Sequence, residues 1–119
     1  MSLNWPNFIV AEEYDEVVGV GQVKAHRDGS RELASIVVKP ARQGGGIGSE
    51  VIRTLLASHP GVLHLTCRRE LQGYYERFGF RRLNRSEYPP YFARMIPLVN
   101  LVGRFGGIQI VVMRREAPP

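Results

Sequence analysis

The segment Gln43-Gly44-Gly45-Gly46-Ile47-Gly48-Ser49 constrains this chain more than any other part of it. It follows an apolar, strand-like run, Leu33 to Val38, and opens an apolar-periodic helix. Glycines let backbone approach a ligand closely, because no Cβ stands in the way. The first turn of a helix carries amide N–H groups without internal partners and the positive end of the macrodipole. A strand, a glycine turn and a helix start therefore make a site for an anionic group, a phosphate or pyrophosphate above all.

The spacing excludes two familiar phosphate loops. A nucleoside-triphosphate loop needs GxxxxGK[ST], and no lysine follows any of these glycines. The dinucleotide fingerprint GxGxxG fails as well, since Val51 stands where its third glycine would be. What remains is Q-x-x-G-x-G, read as Gln43-x-x-Gly46-x-Gly48. That pattern resembles the acyl-CoA pyrophosphate loop of the GNAT N-acetyltransferase superfamily. A second segment, Gly73-Tyr74-Tyr75-Glu76-Arg77-Phe78-Gly79-Phe80, resembles that family's FYxxxGF stretch, and it stands downstream in the right order.

The resemblance spans Val17 to Leu83 and implies a fold and a site. The fold would be α+β, a mixed and mostly antiparallel sheet with flanking helices, as one domain over residues 1–119. Acetyl-CoA would be the acetyl donor, with no metal. Its pyrophosphate would lie on the loop formed by Gln43, Gly44, Gly45, Gly46, Ile47, Gly48 and Ser49. Its pantetheine arm would run along the strand at Ile36, Val37 and Val38, whose side chains alone read as core strand. Tyr75 takes the position of the acid that protonates the departing thiolate, with Tyr74 a weaker candidate; packing aromatics are the alternative for both. Arg68 stands where many members have a cofactor-touching asparagine, and as an arginine it is expected to contact the cofactor, through a phosphate. Glu32, eleven residues before Gln43, matches the offset of a glutamate base in some members; an exposed hairpin-end carboxylate is the plainer reading.

Composition narrows the setting. At 119 residues there is room for one core and little else. No apolar run is long enough to span a membrane, and a single cysteine, Cys67, fits a reducing compartment, the cytoplasm. Cys67 reads as a buried structural thiol, though Arg68 and Arg69 beside it could lower its pKa. His26 and His64 are further candidates for the base, since histidine titrates near neutrality; the plainer readings are a satisfied core histidine for His64 and a solvated one near a hairpin end for His26. No His/Cys/Asp/Glu spacing resembles a metal site. The net charge is +5, and fourteen of sixteen basic residues are arginine. The clusters Arg81-Arg82-x-x-Arg85 and Arg114-Arg115 read as solvated faces, which argues against nucleic acid; Arg42 beside the glycines also suits a polyphosphate.

The pattern predicts strands over Phe8–Ala11, Val17–Lys24, Leu33–Val38, Leu63–Cys67, Phe80–Leu83 and Ile108–Met113. A hairpin signal sits at Asp28-Gly29-Ser30. Helices are expected from about Gly46 to Ser58 and over Leu71–Phe78, with Gly79 as a left-handed cap. Residues 88–107 read as irregular, although Phe92, Met95, Ile96, Val99 and Val102 recur at helical spacing; Pro97 should kink or end any helix there. Only Met1 to Asn7 precede the first strong strand, so the family's first strand and first two helices are expected to be missing. The 92–102 run would then cover their place, within the chain or across a homodimer, or pack locally on the core. The expected activity is acetyl transfer from acetyl-CoA to a small-molecule or peptide amine by direct attack. The alternatives are a catalytically weak CoA-binding partner module and a nucleic-acid-binding domain, the latter favoured only by the basic charge.

Overall fold

The computed structural model describes residues 3–5 and 8–116 and divides them into two compact units. One unit holds the described residues up to Lys24 together with Leu33–Pro60; the other holds Ala25–Glu32 and the described residues from Gly61 on.

In the first unit, β2 (Phe8–Glu13) and β3 (Glu16–Ala25) form an antiparallel hairpin. Its turn is Tyr14-Asp15, both in the left-handed region at φ 51° and 61°, as a two-residue primed turn requires. A three-residue strand, β1 (Leu3–Trp5), pairs antiparallel with β2 ahead of the first strand expected from the pattern. β4 (Arg31–Val38) leads through a 3-10 turn (Pro40–Arg42) to α1 (Ile47–Ser58). Helix α1 buries Val51, Ile52, Leu55 and Leu56, the apolar stripe that its sequence spacing sets on one face. It sits close on β3: a Cβ on Gly21 would come within 2.6 to 2.9 Å of Val51, Ile36 and Leu55 side-chain carbons. Gly21 is therefore a close-approach residue, where any Cβ would force the Val51, Ile36 and Leu55 side chains to shift.

In the second unit, β5 (Leu63–Arg68) pairs antiparallel with β7 (Ile110–Arg115), and the two-residue β6 (Arg81–Arg82) pairs with β7 on its other edge. Glu32 pairs in parallel with His64, which makes the strand set mixed. A 3-10 turn (Arg69–Leu71) feeds α2 (Gln72–Glu76), shorter than the helix expected over 71–78. Gly79, at φ 91°, ends it: the Gly79 N–H donates to Glu76 O and the Phe80 N–H to Tyr75 O, the paired bonds of a Schellman cap.

Residues 88–107 depart most from the sequence expectation. They form α3 (Pro90–Gly103), which continues through Pro97. The proline removes one backbone donor, but the carbonyl it leaves, on exposed Ala93, can be met by water. Phe92 and Ile96 pin the helix into a core cluster with Leu83 and Val112. Its N-terminus is fixed from a distance in sequence, since the Tyr91 N–H donates to Asp28 Oδ2 at 2.9 Å. The expected apolar face is buried only in its first half: Val99 is 37% exposed and Val102 66%.

Candidate active site

The glycine loop is built by backbone. Val38 ends β4, and the Gln43 side-chain amide folds back to donate to its carbonyl at 3.1 Å. Gly44 and Gly46 then adopt φ 85° and 86°. That region disfavours any residue with a Cβ. Yet a Cβ at either position would meet nothing within 4 Å, so the backbone angle, not crowding, demands glycine, and the space in front of the loop is open. Gly46 is the N-cap of α1, and the first amide bonded back into the helix is that of Glu50, to Gly46 O. The turn ahead of it, at Ile47 and Gly48, presents the amide end of a twelve-residue helix to that open space. The cations flanking the loop are already engaged: Arg42 pairs with Glu13 at 2.7 Å and Lys39 with Glu16. Attraction for an anion here falls to backbone dipoles.

The strand before the loop is irregular where a ligand would lie. Ser35 sits at φ 56° inside β4, and its Oγ accepts from Gln22 Nε2 at 2.9 Å. A non-glycine residue held there is a strained position of the kind that concentrates at functional sites. Beyond it Ile36 and Val38 are half-buried while Val37 is 58% exposed, so the alternation offers Val37 outward.

The second unit contributes side chains. Tyr75 is half-buried on α2, packed edge-on against Tyr74 and Phe80, and burial pushes its phenol up to about 12. Cys67 contributes to that shift, and burial pushes its own thiol up to about 11. The thiol is buried against the Met113 sulfur, and its desolvation there is what raises it. Arg68 ends β5 exposed and pairs with Glu70 at 3.4 Å.

Glu32 is not an exposed hairpin-end carboxylate. It is 8% exposed, and its Oε1 lies 2.8 Å from His26 Nε2. Nor is His26 solvated: its side chain is 12% exposed, and its ring stacks on Tyr91 with centroids 3.6 Å apart. A carboxylate oxygen accepts, so Nε2 is the donor in this pair, which in the neutral ring leaves the lone pair on Nδ1. His64, expected to be satisfied, is buried with neither ring nitrogen hydrogen-bonded among the described residues. Desolvation and then Arg114 lower its pKa below the usual 6.5. The His26 ring opens on a cavity of about 500 Å³, lined also by Ala25, Arg27, Asp28, Tyr91, Arg94 and Met95. Sequence spacing held one clue to the dyad, for His26 and Glu32 flank the Asp28-Gly29-Ser30 turn. Nothing in it pointed to Tyr91 or Arg94.

Among the described residues no group of three or more His, Cys, Asp and Glu side chains could hold a metal ion, and no helix is long and apolar enough to cross a membrane. The chain's fold matches solved structures at low identity. N-acetylglutamate synthase from Neisseria gonorrhoeae, solved with coenzyme A and N-acetyl-glutamate, is 18% identical with a TM-score of 0.64. The match covers 95% of this chain, which spans 26% of that one. Rv2747 from Mycobacterium tuberculosis, solved with CoA and a second ligand, is 21% identical with a TM-score of 0.68, covering 94% of this chain and 76% of that one. A Bacillus anthracis str. Ames protein assigned as a streptothricin acetyltransferase, solved with acetyl coenzyme A, is 14% identical with a TM-score of 0.70, covering 98% and 67%. The family model of the GNAT acetyltransferase domain matches residues 4–82, a stretch that contains the glycine loop, Glu32, Arg68 and Tyr75. With the mixed sheet, flanking helices and left-handed glycine loop in place, the chain belongs to the GNAT acetyltransferase family.

Proposed function

We propose that this protein transfers an acetyl group from acetyl-CoA to a primary amine by direct attack. The observation that carries the reading is the glycine cradle, whose open space at Gly44 and Gly46 fits a pyrophosphate laid on the start of α1. The bound thioester supplies an activated acetyl carbon and a thiolate leaving group. Backbone amides of β4 near exposed Val37 polarise the carbonyl, and Ile36 and Val38 flank the extended arm.

Tyr75 is the proton donor to the departing sulfur. A phenol pushed to about 12 stays protonated at neutral pH. Against a thiol in water, near 8.5, that donation would run uphill. Exclusion of water disfavours a thiolate as it does a phenolate, so a sulfur released out of water becomes more basic and the donation less uphill. On the acceptor side the amine proton passes to His26 Nδ1, while Glu32 holds the ring through Nε2 as a positioning residue. No serine or cysteine nucleophile is needed, because the amine itself attacks.

The relatives solved with CoA, acetyl coenzyme A and N-acetyl-glutamate support the donor and an amine acceptor. An acceptor panel with purified protein, read by free-thiol release and by mass of the acetylated product, tests the reading. Transfer to at least one amine is expected; no transfer across amino acids, polyamines, aminoglycosides and peptides would leave a CoA-binding module instead. A second copy of the chain is a further proposed partner. Leu98, Leu101, Val102 and Phe105 stand exposed at helical spacing along α3 and its end. Light scattering at micromolar concentration should then show a dimer that Leu101→Asp dissociates; a monomeric wild type contradicts it.

A further inference from the structure

The cavity on the His26 side carries more than a proton acceptor. Arg27 and Arg94 both line it, and neither side chain makes an ion pair or hydrogen bond with any described residue. Asp28 lines it too, but its carboxylate is engaged: Oδ1 accepts from the Ser30 N–H and hydroxyl, and Oδ2 from the Tyr91 N–H. Those bonds keep it ionised, so the cavity presents two open cations and one fixed anion around an aromatic and thioether wall. A second cavity, at Pro97 and Leu101, also has two arginines, Arg85 and Arg104. It lacks any buried proton-accepting pair; of its two amide side chains, Asn100 is spent on the Ile110 backbone and Gln109 Oε1 accepts from Arg69 at 3.5 Å.

We propose that the His26 cavity selects an acceptor bearing a carboxylate beside its amine, an α-amino acid, with Arg94 and Arg27 receiving the carboxylate. This rests on the acetyltransferase reading. A guanidinium fork matches a carboxylate in two parallel hydrogen bonds, whereas an ammonium would be repelled by both arginines and drawn to the Asp28 and His26–Glu32 side. With the carboxylate drawn to the two guanidiniums and the amine to Asp28 and the His26–Glu32 pair, a zwitterion is oriented within one cavity. His26 stacked on Tyr91 gives the ring that receives the proton a fixed position. The apolar part of the wall, from Tyr91 and Met95, would lie along the acceptor's side chain.

Matched pairs isolate the carboxylate: L-phenylalanine with 2-phenylethylamine, L-leucine with 3-methylbutylamine, and L-lysine with 1,5-diaminopentane. Each is titrated calorimetrically into the CoA-saturated full chain, and also tested as an acceptor. At least one amino acid should bind about tenfold or more tighter than its amine, the discrimination of a charge-assisted pair. Arg94→Gln should reduce that preference about tenfold, and Arg94→Gln with Arg27→Gln should abolish it. Both residues are exposed, so the variants keep the fold, checked by an unchanged melting shift with acetyl-CoA. Equal binding within every pair, a preference that survives the double substitution, or no binding by any of the six would overturn the proposal. A retained acetyl-CoA shift with transfer only to amines lacking a carboxylate, and to none of the amino acids, would overturn it while leaving the acetyltransferase reading intact. Loss of the shift in the wild type would instead strike that reading itself.

Discussion

The glycine loop and the His26 cavity represent two ways of building a site. The loop is made of backbone: two left-handed glycines, a helix start and a strand end, all within Val38–Glu50. The cavity is made of side chains drawn from a hairpin and a helix more than sixty residues apart, tied by the Asp28–Tyr91 bond. The loop needs particular residues only because of the angles they must adopt. The cavity depends on what its residues touch: His26 on Glu32 and on the Tyr91 ring, and Asp28 on the Tyr91 N–H.

That difference makes the cavity the more breakable of the two. Phe92 is fully buried, and its ring lies 5.1 Å from Tyr91, 5.6 Å from His64 and 5.8 Å from His26. Phe92→Ala should cost about 3–5 kcal/mol in urea unfolding and weaken acceptor binding with it. A loss below about 1 kcal/mol would mean that the α3 core is not what supports the cavity.

Tyr75 comes next. Tyr75→Phe should lower kcat about 10²-fold, or about 2.7 kcal/mol, with acetyl-CoA affinity little changed. Equal activity would assign the ring to packing against Phe80 and Tyr74. Glu32→Gln should lower kcat about tenfold and move the acidic limb of the pH–rate profile. An unaltered profile would return the His26–Glu32 pair to a structural role.

These contrasts also explain what could be read from sequence. The loop was legible because its chemistry is contiguous: Gln43, Gly46 and Gly48 stand at fixed spacing after an apolar strand. The Tyr75 segment was legible for the same reason, and Gly79 takes the left-handed cap its position implies. The His26–Glu32 pair was half visible, since a hairpin brings its flanks together, but burial cannot be read from two polar residues near a turn. Tyr91 and Arg94 were invisible, because only α3 brings them to the hairpin. Helix α3 itself was obscured by Pro97, whose cost is outweighed by the burial of Phe92 and Ile96.

Smaller effects sharpen the comparison. Gly46→Ala should cost about 1–2 kcal/mol of stability from the left-handed angle alone. It should also weaken acetyl-CoA binding, because its methyl would enter open space. A variant as stable as wild type would mean that the loop relaxes freely.

Two pH arms follow from burial in the second unit. His64 has a pKa lowered below 6.5 by desolvation, so the unfolded chain binds its proton first. Its contribution to stability is whole above 6.5 and is lost as pH falls through the lower folded value; His64→Leu should flatten that slope. Tyr75 and Cys67 shift upward, to about 12 and about 11, from unfolded values near 10 and 9. Their contributions are whole below those unfolded values and lost as pH rises through the folded ones. Denaturant midpoints across both ranges measure each arm, and a flat wild-type curve through either would contradict the burial assigned to that group.

The measurement that bears most directly on the account is a melting comparison of wild type and Gly46→Asp with acetyl-CoA. Gly46→Asp puts a side chain and a negative charge where the phosphates would lie. At 100 times its dissociation constant acetyl-CoA should stabilise the wild type by about 2.7 kcal/mol, seen as a saturating rise in Tm. The Gly46→Asp protein should melt at one temperature with or without it. No shift in the wild type at millimolar acetyl-CoA, or an equal shift in both proteins, would contradict the assignment of this loop as the donor site.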